Sequence, residues 1–162
     1  MRGRTIALLF LAGLVVVGAA VAEVNGNWST HLQGDQEFPA VDTLAQGQAT
    51  FKLSDDGTTL HYKLIASNID NITQAHIHLR ANADAPNGGI VVWLYPSAPP
   101  LQLIPGRHVG VLAEGDVTAA NFVGALAGKD MATLVAALDS GLAYANVHTS
   151  ANPPGEIRGN LP

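Results

Sequence analysis

The sequence contains no cysteine. That excludes a disulfide framework, a thiolate zinc site, a cysteine nucleophile and a cysteine-anchored lipid. Charge is scarce too, with eight Lys and Arg and thirteen Asp and Glu among 162 residues and no basic cluster. Gripping a phosphate backbone takes several Lys or Arg on one face, so nucleic acid is not expected as a partner. Serines are few, and none sits in a strand–turn–helix elbow, which leaves no hydrolytic nucleophile. The adjacent Asp55 and Asp56 fall in a predicted turn and do not form a glycosidase carboxylate pair. No repeat recurs at a solenoid period.

What is present suits one globular domain. Apolar residues make up 48% of the chain, enough to bury a core, and seventeen glycines and nine prolines suit many turns between short strands. Residues 1–22 have the pattern of an export signal: Arg2 and Arg4, an apolar core from Ile6 to Val17, and a small-residue ending Ala20-Val21-Ala22. The alternative is an uncleaved N-terminal anchor, because the apolar run is near the lower limit for spanning a bilayer. A membrane partner is expected only in that case. Cleavage after Ala22 leaves six basic and thirteen acidic residues, a net charge of −7. The expected location is secreted, periplasmic or cell-surface, with residues 23–29 as a flexible start and residues 30–162 as the domain.

Most of the domain has strand patterning. Trp28 to Leu32 and Gln48 to Leu53 alternate apolar and polar residues. Ser54-Asp55-Asp56-Gly57 predicts a hairpin turn returning through Thr59 to Ile65, with Leu60, Tyr62 and Leu64 inward. Ser67 to Asn71 is expected to connect this strand to a separate one over Ile72 to Leu79. Ile90 to Leu94 predicts a short strand buried on both faces or at a sheet centre. The four prolines between Tyr95 and Gly106 predict a surface loop, and Arg107 to Ala113 a further strand. Thr118 to Leu126 suits a short helical turn. Asp130 is placed to cap a helix over Met131 to Leu138, which Gly141 closes. Strands over Tyr144 to Thr149 and Glu156 to Leu161 end the chain. Short strands, frequent turns and one or two small helices before the penultimate strand imply an all-β fold, an antiparallel Greek-key β-sandwich or flattened barrel.

Two strands carry the candidate chemistry. In Gln74-Ala75-His76-Ile77-His78-Leu79, the histidines share the face opposite Ala75, Ile77 and Leu79; in Tyr144-Ala145-Asn146-Val147-His148-Thr149, His148 lies opposite Ala145 and Val147. Histidines at i and i+2 of a strand have Cα atoms about 6.5–7 Å apart on one face. Imidazoles so spaced can meet on one ion at bonds of about 2 Å, with His148 as the third ligand. Nitrogen ligands without thiolate suit copper or zinc. The competing explanation is a structural cluster that hydrogen-bonds loop backbone. His31 and His108 are candidates for a fourth ligand, and His61 for a solvated strand residue. Asn146, Glu156 and Arg158 are candidates for supporting the ligands. Glu156 either accepts an imidazole N–H or forms a cross-strand ion pair, for example with Arg80. Asn87-Gly88-Gly89 is a turn before a strand, with no helix behind it to make a phosphate cradle.

Several of these segments together resemble the chordin-type (CHRD) domain. They are Leu32-x-Gly34-x-x-Glu37-x-Pro39-x-Val41, Gly47-x-Ala49-x-Phe51, Ala75-His76-Ile77-His78, Asn87-Gly88-Gly89-Ile90-Val91-Val92-x-Leu94, and the closing Gly141-x-x-Tyr144-x-Asn146-Val147-His148-Thr149 with Asn152-Pro153-x-Gly155-Glu156-Ile157-Arg158-Gly159. The resemblance implies an extracytoplasmic β domain, found in animal chordins, which bind growth factors, and in many exported prokaryotic proteins. The His-x-His strand also resembles the copper strand of copper-zinc superoxide dismutase, although Arg80 to Gly89 contains no bridging histidine. The function expected is an exported binding module with a copper or zinc site at His76, His78 and His148, more a carrier or structural site than an enzyme. The alternatives are a copper oxidoreductase of superoxide dismutase-like architecture and a metal-free surface protein that binds another extracellular protein.

Overall fold

A computed structural model describes residues 26–162; the expected export signal and residues 23–25 of the expected flexible start lie outside them. The elements in chain order are β1 (Asn27–Gln33), β2 (Gln46–Leu53), β3 (Leu60–Leu79), β4 (Gly89–Tyr95), β5 (Ile104–Val117), α1 (Met131–Asp139), β6 (Ala143–Thr149) and β7 (Ile157–Asn160). Every strand pairing is antiparallel. Strands β2, β1, β7, β6 and β3 follow one another around a closed barrel, with β3 returning to pair with β2. β4 and β5 both add to β3 outside that ring. The all-β expectation therefore takes the form of a closed barrel with two flanking strands.

The alternating sequences behave as their period requires. Trp28 and Leu32 of β1 and Ala49 and Phe51 of β2 are buried in one core with Leu60, Leu64, Ile77 and Val147. The β2–β3 turn is held by the Asp56 carboxylate, which accepts from Thr58 N at 3.0 Å and from the Ser54 hydroxyl at 2.6 Å, and Gly57 takes φ +70°. Asp130 caps α1 by accepting from Thr133 N at 3.0 Å. The helix buries Met131, Leu134, Val135 and Leu138, and Gly141 (φ +69°) ends it. The Trp28 indole N–H donates to Asp139 at 2.9 Å and ties β1, which begins at Asn27, to the end of the helix.

The expected connection at Ser67 to Asn71 does not separate two strands. β3 runs for 20 residues without a break. Two asparagines make this possible: Asn68 (φ 53°) and Asn71 (φ 55°) adopt the left-handed region, which Asn tolerates better than other side-chain-bearing residues. The register to β5 shifts between Ser67 and Ile69 and again between Asp70 and Ile72. These bulges redirect the strand. Its first half lies between β2 and β5, and its second half between β6 and β4. The second half carries His76 and His78.

β4 is not at a sheet centre; it is the last strand on its side of β3. Its outer edge is covered by the chain following β5, where Val123 N donates to Val91 O at 2.9 Å and a 3₁₀ turn spans Gly124–Leu126. β5 is longer than expected at both ends, where Ile104, Pro105 and Gly106 join at one and Glu114 to Val117 at the other, and an edge strand accommodates the proline.

The continuous β3 predicts a specific pattern of tolerance. Asn68→Val or Asn71→Val forces a β-branched residue into the left-handed region and is expected to cost about 1–2 kcal/mol each. Asn68→Gly is expected to be nearly neutral, and Asn71→Gly to lose only the exposed hydrogen bond from Gly106 N. Urea denaturation of the four variants checks this; equal losses for Val and Gly contradict it.

Candidate metal centre

β3 and β6 are adjacent, and their register places Gln74 opposite His148, His76 opposite Asn146, and His78 opposite Tyr144. The core-facing set Ala75, Ile77, Ala145 and Val147 is fully buried. The opposite face bears His76, His78, Tyr144, Asn146 and His148, and it is buried as well, with His76 0% and His148 5% exposed. Loops supply the cover. All seven residues of β6 are buried, so its polar alternation marks a second interior rather than a solvated face.

The three histidines meet. One nitrogen from each ring lies within 4.8 Å of the other two. His76 Nδ1 is 3.1 Å from His148 Nε2. Ring centroids are 5.0 Å apart for His76–His148, 5.5 Å for His76–His78 and 6.0 Å for His78–His148. Two nitrogens on one ion at bonds of about 2.0–2.1 Å stand at most about 4.2 Å apart, against the 4.8 Å within which the three ring nitrogens lie here.

The backbone sets the tautomers. Gly88 O lies 2.9 Å from His78 Nδ1, and Pro153 O lies 2.8 Å from His148 Nδ1. A carbonyl only accepts, so both Nδ1 atoms carry the proton and both Nε2 atoms present a lone pair. His76 Nδ1 must then donate to His148 Nε2, which leaves His76 Nε2 a bare acceptor. Nε2 of His76 and of His78 are both buried without a hydrogen-bond partner. Unpartnered buried acceptors are rare and costly.

A proton does not satisfy these acceptors at neutral pH. Burial, reinforced by the neighbouring His148 and His78, lowers the His76 pKa to about 3. Burial also lowers His78 to about 4, against the opposing hydrogen bond to Gly88, and lowers His148. All three are neutral, as metal ligation requires.

Aromatic rings wall the cluster. Trp93 of β4 meets His76 edge-on at 4.3 Å, and Tyr144 stacks on His78 at 4.8 Å with planes 8° apart. The Arg158 guanidinium lies 3.5 Å from the Tyr144 ring centroid on β7's side of the stack. Its N–H groups donate to Pro86 O, Asn87 Oδ1 and Asn160 Oδ1. Arg158 thus fastens the 86–88 loop, whose Gly88 carbonyl orients His78. Gly88 has no room for a side chain, since a Cβ there would stand 2.1 Å from Leu79 O.

Glu156 serves neither of its two expected roles. Its carboxylate accepts from the hydroxyls of Thr43 (2.8 Å) and Thr149 (2.6 Å) and from Asn152 Nδ2 (3.1 Å), not from an imidazole or from Arg80. It closes the turn that presents Pro153 O to His148. Asn146 lies beside the cluster with Nδ2 3.4 Å from Glu37 Oε1 and with Oδ1 buried and unpartnered. Glu37 was not among the candidate residues. Burial raises its pKa, against the pull of Asn146 and Arg158, and it lies against Gly155, where a Cβ would stand 2.2 Å from Oε1. Its one sequence signal is an acidic residue amid Phe38, Pro39 and Val41.

The other histidines stay apart. His61 is exposed and pairs with Asp116, His108 is near Gly110 O on β5, and His31 is exposed on β1. None belongs to the cluster. The CHRD domain family model matches residues 28–161. The chain belongs to the CHRD domain family. No curated protein and no solved structure matches it. The superoxide dismutase likeness is not borne out: this CHRD domain has a single three-histidine group among its described residues and no second cluster for a bridged metal pair.

The depressed histidine pKa values fix a pH dependence for the metal-free protein. Their ordinary value is 6.5, and burial holds His76 and His78 at about 3 and about 4 in the fold. The unfolded chain therefore takes up protons first as pH falls, so stability is full above pH 6.5 and is lost progressively towards pH 3–4. Glu37 acts in the opposite sense, because its raised pKa favours the fold at low pH. Thermal melts between pH 7 and pH 4 are expected to show a falling Tm, and His76→Gln is expected to flatten the fall. A wild-type Tm that is constant or rises on acidification contradicts the assignment.

Proposed function

We propose that this CHRD domain is an exported binding module that holds one transition-metal ion, copper or zinc, between His76, His78 and His148. The observation that carries the proposal is the buried trio itself: one nitrogen from each of His76, His78 and His148 lies within 4.8 Å of the other two, Nε2 of His76 and of His78 have no hydrogen-bond partner, and backbone carbonyls fix the tautomers of His78 and His148. The donor set is three neutral imidazoles, which suits copper or zinc. When bound, the ion would supply a cationic centre that the rings' lone pairs lack. Gly88 O and Pro153 O would hold the rings in ligating orientation, as outer hydrogen bonds do for metal-bound histidine. Arg158 and Glu156 would keep the two loops in place.

The N-terminal sequence supports export, and an absence of cysteine fits a protein handling metal outside the cytoplasm without thiolate. Among the described residues, no helix is long and apolar enough to cross a membrane. A buried site walled by Trp93 and Tyr144 suits holding an ion more than turning over a substrate.

Purified protein equilibrated with copper or zinc, then desalted, is expected to retain one ion per chain. His78→Ala and His148→Ala should retain less than about a tenth as much, because a site reduced to two ligands loses most of its affinity. At a free metal concentration of about 100 Kd, binding stabilises the fold by about 2.7 kcal/mol and raises Tm. Folded wild-type protein that keeps no ion, or alanine variants that keep as much as wild type, would sink the proposal.

A further inference from the structure

We infer that the three-histidine centre is built to hold copper in its monovalent state, Cu(I), in preference to a divalent ion. The inference rests on the metal-binding reading above and adds the charge and coordination number of the ion.

The first ground is charge. All three ligands are neutral, and no carboxylate belongs to the group. The nearby carboxylates are committed elsewhere: Glu156 to Thr43, Thr149 and Asn152, and Glu37 to Asn146. A cation lies close by. Arg158 is buried one aromatic ring away, above the Tyr144 that stacks on His78, and its hydrogen-bond partners are all neutral oxygens. A divalent ion brings two charges towards that guanidinium into a dry interior with no anionic ligand; a monovalent ion brings one.

The second ground is coordination number. Zinc takes four ligands, and in three-histidine sites the fourth is an accessible water. Here Nε2 of His76 and of His78 are both closed to solvent. A further donor beside the rings is the unpartnered Asn146 Oδ1, but an amide carbonyl suits harder ions than copper or zinc. Tyr144 presents its ring face, and its hydroxyl is engaged with Gly88 N at 3.1 Å. A filled-shell monovalent copper is satisfied by three nitrogens, so an enclosed trio of imidazoles suits it without water.

Wild-type protein is titrated separately with Cu(I) under reductant, using a chromogenic Cu(I) chelator as competitor, and with Zn(II) and Cu(II). The expected result is Cu(I) bound at least about tenfold more tightly than Zn(II), in the direction that the smaller charge beside a buried guanidinium favours. Copper-loaded protein left in air is expected to remain silent in electron paramagnetic resonance while metal analysis finds one copper per chain. In Arg158→Gln, the preference over Zn(II) should shrink by about tenfold on the same charge argument. If that variant does not fold, the wild-type measurements decide alone. A full Cu(II) signal in air, or mole-for-mole replacement of Cu(I) by Zn(II), overturns the inference and leaves the three-histidine metal site standing. If folded protein binds none of the three ions, the metal reading itself fails.

Discussion

Two backbone carbonyls, Gly88 O and Pro153 O, each fix one imidazole, and the rest of the site depends on them. By accepting from Nδ1 they leave Nε2 of His78 and of His148 as acceptors, and His148 Nε2 lies 3.1 Å from His76 Nδ1. Burial then keeps the rings unprotonated, so the cluster cannot neutralise its unpaired acceptors by titration near neutral pH. The fold tolerates a set of buried lone pairs whose natural complement is a cation.

Much of the outer layer serves those two carbonyls. Arg158 reaches from β7 to Pro86 O and Asn87 Oδ1 and stacks on Tyr144, so it holds the 86–88 loop and the ring that packs on His78. Glu156 gathers Thr43, Thr149 and Asn152 around the turn that carries Pro153. Gly155, at φ +140° against Glu37, lets that turn lie close to Asn146. The motif from Asn152 to Gly159 is therefore a clamp for His148 and, through Arg158, for His78. Each residue of the clamp has an ordinary structural bond, and Nε2 of His76 and of His78 are the ring nitrogens left without one.

The sequence made the histidine trio legible because strand periodicity is strict. His76 and His78 had to share a face, and His148 had to oppose the core side of its own strand. The hairpin at Asp56-Gly57 and the cap at Asp130 were legible for a similar reason, since each rests on contacts within a few residues. Contacts across long stretches of chain were not. Glu156 looked like a partner for an imidazole or an arginine, but its hydroxyl and amide partners include Thr43, which lies 113 residues away. Glu37 meets Asn146 across 109 residues, and no local pattern announces that. The continuity of β3 was hidden because Ser67 to Asn71 has the composition of a connection; Asn68 and Asn71 act there as bulge residues inside a strand. Burial of the histidine face was partly legible from the proline- and glycine-rich segments available to cover it, while its extent came only with the folded loops.

The most direct test is a crystal structure of the metal-loaded protein, with the ion located by anomalous scattering. The account predicts one strong peak bonded to a nitrogen of each of His76, His78 and His148 at about 2.0–2.1 Å, with Gly88 O and Pro153 O still holding the Nδ1 atoms of His78 and His148. A peak at His61 and Asp116 instead, or no ordered peak among the three rings of a loaded crystal, would contradict it.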